Sequence, residues 1–264
     1  MRKLDDAEVR TIQLQILEQV ARFCEEKNIH YWLDYGTLLG AIRHKGYIPW
    51  DDDIDIGMLR PDYERFMELF NKENERYRFL CPEKDEDYYY SFGKVIDTET
   101  VLYEPDIHGS KLALNIDVFA YDNAPDEKTA IRMYKKVRWL LLFNMLQHNL
   151  ISDMGKWYRK LAKRVMCIIL KPFPRNYFVK KVAADAKRYN SLDSDKIGLF
   201  SWSDRLLCEK AVVSSFTDVE FEKKLFKAPA QYDLWLTKLY GNYMELPPEE
   251  ERVTHHIYEA YGKL

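Results

Sequence analysis

Cysteine is scarce and scattered in this chain. The four residues, Cys24, Cys81, Cys167 and Cys208, include no Cys-x-x-Cys pair, which excludes a zinc knuckle or dithiol redox centre and leads us to expect free thiols in a reducing compartment. Long apolar runs are missing as well. The longest, residues 139–143 and 165–170, fall far short of the roughly 20 residues that a membrane-spanning helix needs. The first residues, Met1 to Asp6, carry no apolar stretch of signal-peptide type, so a cytoplasmic protein is expected, with peripheral attachment to the inner face of the cell membrane as a further option. There is no excess of positive charge: 40 basic against 43 acidic residues leave a net charge of −3, which argues against a dedicated nucleic-acid binder. Internal repeats and low-complexity linkers are also lacking.

What is present suffices for a large core. Hydrophobic residues make up 47% of the 264 residues, and 19 Tyr, 13 Phe and 6 Trp suit deep clefts as well as interiors. The charge is uneven. Residues 156–188 hold eleven Lys and Arg against one acid, Asp185, so this segment is +10 and the remainder −13. Such asymmetry marks candidate contact with an anionic surface, membrane or polymer.

Periodicity predicts an α/β organisation. Asp5 or Asp6 can cap a first helix carrying Val9, Ile12, Ile16, Val20 and Phe23. Residues 29–34 read as a short strand broken by Gly36, residues 37–45 as a short helix ended by Gly46, and residues 53–58 as a strand. Pro61 opens another helix, and residues 77–80, 91–97 and 111–119 read as strands. Residues 126–150, 157–170, 176–189 and 232–240 are helical by period. The expected architecture is an α/β catalytic core over residues 1–124 with a mostly helical portion, residues 125–264, packed on it as one continuous unit.

The stretch from Gly36 to Gly57 carries the chemistry. In a strand, Asp53 and Asp55 share one face while Ile54 and Ile56 share the other, and residues two apart are separated by about 6.5 Å. Two carboxylates so placed can converge on a divalent cation. On the 111–119 strand, Leu112, Leu114, Ile116 and Val118 alternate as a core face, so Asn115 and Asp117 face the other way and Asp117 completes an acidic trio. Hard oxygen ligands favour Mg²⁺ or Mn²⁺. Gly36 and Thr37, at a strand-to-helix junction, can cradle a phosphate with backbone N–H groups and a hydroxyl. Arg43 and Lys94 are candidate cations for phosphate oxygens. The alternatives are a solvated acidic loop or a calcium site, but the alternating acids, central Gly and terminal Glu of a calcium loop are absent. His44, His255 and His256 lack a well-spaced third partner, so no zinc site is assigned.

The run Tyr35-Gly-Thr-Leu-Leu-Gly-Ala-Ile-Arg-His-Lys-Gly-Tyr-Ile-Pro-Trp-Asp-Asp-Asp-Ile-Asp-Ile-Gly57 resembles the signature of the LicD family, relatives of fukutin and fukutin-related protein within the nucleotidyltransferase-fold superfamily. Its pattern of Gly-Ser/Thr, then Asp-x-Asp, then a third Asp is matched by Gly36, Thr37, Asp53, Asp55 and Asp117. Lys94 to Thr98, Asn115 to Phe119 and Tyr240 to Pro248 are also similar to LicD proteins. The resemblance implies a nucleotidyltransferase-like mixed sheet and transfer of phosphocholine from CDP-choline to a sugar of teichoic acid or lipopolysaccharide. Relatives that move ribitol phosphate or similar groups, such as glycerol phosphate, from CDP-linked donors form the alternative. The implied partners are a CDP-linked donor and a glycan or glycolipid acceptor. For a choline cargo, Trp50, Tyr47 and Tyr121 are candidates for a cation–π cage, although a core position is the favoured reading for any one of them. A nucleotide-sugar glycosyltransferase is a competing reading that lacks the Gly-Thr element. A membrane-surface adaptor using residues 156–188, with Trp157, Val165, Ile168, Ile169 and Phe173 inserted, is another; those five side chains are instead expected in the core, with the lysines as a solvated rim.

Overall fold

A reciprocal capping box, Asp5 side chain to Glu8 N–H and Glu8 side chain to Asp5 N–H, launches α1 (Asp6–Lys27) just after the short strand β1 (Arg2–Lys3). Asn28 ends the helix in the left-handed conformation (φ 51°). The computed structural model describes residues 1–103, 112–148, 150, 157–202, 206–254 and 258–263. After α1 come β2 (Trp32–Leu33), α2 (Tyr35–Arg43), β3 (Asp55–Leu59), α3 (Arg60–Glu73), β4 (Tyr77–Leu80), β5 (Gly93–Asp97), β6 (Thr100–Tyr103) and β7 (Asn115–Asn123). Three helices follow, α4 (Glu127–Gln147), α5 (Trp157–Leu170) and α6 (Tyr177–Ala186). The chain then makes β8 (Lys196–Gly198), β9 (Leu207–Glu209), β10 (Phe216–Phe221), β11 (Lys224–Pro229), α7 (Tyr232–Tyr240) and β12 (Glu259–Gly262).

The main sheet is mixed, as expected, with order β2-β3-β7-β5-β4. Among the described residues only the β3–β7 pair in it is parallel; β8 adds to the end of β7, and β9 to β8. Strands β1, β12 and β6 form a second sheet, while β10 and β11 make a hairpin. The apolar faces of α1, α3 and the sheet bury Ile16, Leu17, Val20, Phe66, Phe70, Val95, Ile116 and Val118 in one core.

Among the described residues the portion after residue 124 holds five strands besides its helices, and β8 and β12 are built into sheets started in the first half. Two expectations need correction. First, β3 begins at Asp55, so Asp53 precedes the strand. Second, Trp157, Val165, Ile168, Ile169 and Phe173 are exposed, not core. The expected strand at 111–119 starts at Lys111, outside the described residues, and His255 and His256 also lie outside them. Leu112 makes only an isolated bridge to Leu102, and β7 proper runs on to Asn123.

A buried ion pair ties the halves together. Arg60, at the first position of α3, donates from Nε and Nη2 to both oxygens of Asp122 at 2.7 and 2.8 Å, and Asn190 Nδ2 donates to Asp122 Oδ1 at 2.6 Å. Breaking such a pair leaves an uncompensated buried charge. Asp122→Ala is therefore expected to destabilise the protein by about 3–5 kcal/mol, read as a lowered denaturant midpoint with an unchanged slope.

Candidate active site

Asp34, the residue before α2, organises the site from beneath. It is fully buried; its carboxylate accepts from Tyr35 N–H (2.9 Å), Trp235 Nε1–H (2.8 Å) and Tyr121 O–H (2.6 Å). Burial nevertheless pushes the carboxyl up to about 6, since those donors offset only part of the desolvation. Tyr35 takes φ 40° at the first helical position, a strained backbone for an aromatic residue and of the kind that gathers at functional sites. Next to it the chain clamps Asp55 on both sides. Thr37 Oγ1 accepts the Asp55 N–H at 2.8 Å, and Asp34 N–H donates to the Asp55 carbonyl at 2.9 Å.

The parallel ladder then sets Asp55 opposite Asp117, with Asp117 N–H bonded to Ile54 O at 2.8 Å. Opposed residues of neighbouring strands project to the same face, so the two carboxylates are neighbours. Asp51, Asp52 and Asp53 each offer a carboxylate oxygen within 4.8 Å of the others. The loop that carries them is held by its backbone: Arg10 Nη2 donates to Asp51 O at 3.0 Å and Gln13 Nε2 to Asp52 O at 2.8 Å. Among the described residues the tightest acidic trio is thus Asp51–Asp53, with the Asp55–Asp117 pair beside it, rather than Asp53, Asp55 and Asp117 alone.

Crowding shows in the electrostatics. Burial, then repulsion from Asp53 and a hydrogen bond shared with it, push Asp51 up to about 7. Burial, then Asp53 and Asp117, push Asp55 well above the usual carboxylate range. Among the described residues Asp51, Asp53 and Asp55 have no ion pair. Lys94, opposite Asp117 in the antiparallel β5–β7 ladder, donates to Asp117 Oδ1 at 2.5 Å and Asn115 Oδ1 at 2.9 Å. Its ammonium also lies 4.5 Å from the Tyr90 ring centre.

These acids line a cavity of about 1200 Å³. Of the residues expected from sequence, Gly36, Arg43, Trp50, Asp53, Asp55, Lys94 and Asp117 all line it. Thr37, expected to face a phosphate, is buried and does not; it fixes β3 to α2 instead. Gly36 is needed for close approach, because a Cβ there would sit 2.3 Å from Asp51 Oδ2. Arg43 lines the cavity but spends Nη1 on the carbonyls of Tyr243 and Glu245, bracing the segment that follows α7. Tyr121 is buried against Asp34, and Tyr47 is buried against Gln13, so neither offers a cage wall. Tyr90, Phe92, Trp202, Tyr240 and Tyr258 supply aromatic lining that sequence reasoning missed. Burial and then the nearby acids push the Tyr240 and Tyr258 phenols up: Asp55, Asp34, Asp51 and Asp53 act on Tyr240, and Asp52 and Asp53 on Tyr258. The Tyr240 to Pro248 motif was the available signal for the first of these. Asp34 had one too, as a capping residue just before Gly36.

Asp34 yields a pH prediction. Its folded value of about 6 exceeds the ordinary 3.8, so its contribution to stability is complete below the lower value and lost as pH rises through the upper one. Tm measured across this window is expected to show a falling component that Asp34→Asn flattens, even though the variant melts lower overall. An unchanged slope in the variant would show that Asp34 does not titrate there.

Residues 28–139 match the family described as LicD/FKTN/FKRP, nucleotidyltransferase domain. The chain is 35% identical to the lipopolysaccharide cholinephosphotransferase LicD of Haemophilus influenzae, over 99% of each protein. It is also 43% identical over 53 residues to the ribitol 5-phosphate transferase FKRP of Homo sapiens, covering 19% of this chain and 11% of that protein. The ribitol-5-phosphate transferase FKTN of Mus musculus is 27% identical over 130 residues, 48% of this chain and 25% of its own. With the motif intact and the similarity running nearly end to end, the chain belongs to the LicD family.

Proposed function

We propose that this protein transfers phosphocholine from CDP-choline to a sugar of a cell-surface polymer, lipopolysaccharide or teichoic acid, with Asp53, Asp55 and Asp117 as its essential carboxylates. The observation that carries this reading is the crowded acidic wall inside an aromatic-lined cavity, in a chain similar over its whole length to a cholinephosphotransferase. The ribitol-phosphate relatives share shorter segments, so choline is the cargo favoured here.

The donor set fits a divalent cation. All its ligands are hard oxygens, and burial, then mutual repulsion, already drives Asp51 and Asp55 toward the protonated state, a cost that Mg²⁺ or Mn²⁺ would relieve. Asp53, Asp55 and Asp117 would hold it, with Asp51 alongside; once bound, such an ion neutralises charge on the donor pyrophosphate. The protein's own groups do the rest. Lys94, itself steadied by Asn115 Oδ1, holds Asp117 in place, where it takes the proton of the acceptor hydroxyl. Gly36 leaves room for the Asp51 carboxylate and brings backbone close to the phosphates. Trp50, Trp202 and Tyr258, which line the cavity, are the aromatic side chains proposed to meet the quaternary ammonium.

CMP release from CDP-choline, CDP-ribitol and CDP-glycerol, each with Mg²⁺ or Mn²⁺, tests the donor, and CDP-choline is expected to turn over fastest. Asp53→Asn and Asp55→Asn are expected to lower kcat by roughly a thousandfold or more with an unaltered circular dichroism spectrum. Full activity in both would end the proposal. Gly36→Ala separates metal from chemistry: its methyl displaces Asp51, so Mn²⁺ affinity, measured by calorimetry without donor, is expected to drop about tenfold.

A further inference from the structure

Helix α5 is amphipathic the wrong way round for a core helix. Of its fourteen residues only Leu170 is buried. Met166 and Leu170 pack with the apolar side chains of α4 and α6, and Cys167 Sγ donates to Leu146 O at 3.0 Å. At about 100° per residue, Trp157, Leu161, Val165 and Ile168 fall within one arc of about 80° on the side opposite those contacts. They are 75%, 54%, 46% and 71% exposed, and Ile169, beside the arc, is 55% exposed. A continuous apolar stripe turned to water is an interaction surface, not a packing accident.

Charge identifies what the stripe meets. Lys160, Arg164 and Lys171 border one edge of the arc; all three are exposed and form no ion pair with any described residue. Exposed Arg175, Lys180 and Lys181 follow on the next turns of chain. A second copy docked on this face would oppose cation to cation. An anionic bilayer instead takes the stripe into its interface and the bases onto its headgroups. No helix among the described residues is long and apolar enough to cross a membrane, so contact must lie in the surface plane. The geometry points to α5 as an interfacial anchor that docks the protein on an anionic lipid surface through Trp157, Leu161, Val165 and Ile168. This surface is separate from the candidate active site and stands whatever the donor.

Flotation of the full chain with vesicles tests it. Vesicles of phosphatidylcholine with phosphatidylglycerol are expected to carry the protein upward, phosphatidylcholine alone to carry little, and high salt to release it. Leu161→Glu with Ile168→Glu is expected to weaken partitioning about tenfold or more while leaving the melting curve unchanged, because both side chains are already in water. Lys160→Glu with Arg164→Glu keeps the stripe but should also weaken binding to the anionic vesicles. Absence of wild-type flotation, or flotation of the Leu161/Ile168 variant equal to wild type, would overturn the proposal. So would a concentration-dependent dimer that the variant dissociates in place of vesicle binding. Turnover of CDP-choline by the floated or unfloated protein is read independently.

Discussion

Parallel pairing of β3 with β7 sets Asp55 opposite Asp117, and the rest of the site is arranged around that register. Neighbouring strands stand about 4.8 Å apart, and like charges directly opposite each other in a sheet destabilise it. A slip of either strand by one residue would send its carboxylate into the core and bring its aliphatic side chains out. The hydrophobic pattern forbids this: Ile54, Ile56, Ile116 and Val118 are all essentially inaccessible. The same alternation that stabilises the sheet therefore holds two unwilling charges together.

Holding them also takes contributions from distant parts of the chain. Asp34 links the start of α2 to Tyr121 on β7 and Trp235 on α7. Arg43, at the end of α2, grips the carbonyls beyond α7. Cavity lining accordingly comes from both ends of the sequence, Gln13 to Tyr258. Residues matching the family's nucleotidyltransferase domain stop at 139, so Trp202, Tyr240 and Tyr258 lie beyond it. These later side chains contribute shape and aromatic surface, with Glu245 and Glu251 adding two acids, whereas the aspartate cluster belongs to the earlier segment.

Much of this was legible in the sequence, and the exceptions have physical causes. Helix α7 was read at its observed bounds because its apolar residues follow one period and Gly241 stops it. Asp55 and Asp117 were read correctly as facing one way, since strand alternation is a local rule. Asp53 was not: whether a residue at a strand's edge is laddered depends on its partner, and β3 acquires one only from Asp55 on. Thr37 illustrates a different limit. Its type suits a phosphate, but a backbone N–H, that of Asp55, claimed the hydroxyl first, and no local pattern shows which will win. The aromatic lining is non-local altogether. For α5 the period was plain, yet the period says that a helix has an apolar face and not what covers it.

That ambiguity bears on the charge of the whole molecule. The net −3 conceals an acidic cluster walled into a cavity and a basic group set on an exposed helix. Had the two been interleaved, they would have neutralised each other over a Debye length of about 8 Å at physiological salt. Kept apart, they act on different partners. Acidic walls repel anionic surfaces and free anions alike, so under the proposed function a cation on these carboxylates would offset the repulsion of a pyrophosphate donor. Exposed bases beside an apolar stripe feel the opposite force. At an anionic bilayer the exposed bases of α5 would be drawn to the headgroups while the acidic cluster would be repelled, so charge separation alone distinguishes the two surfaces.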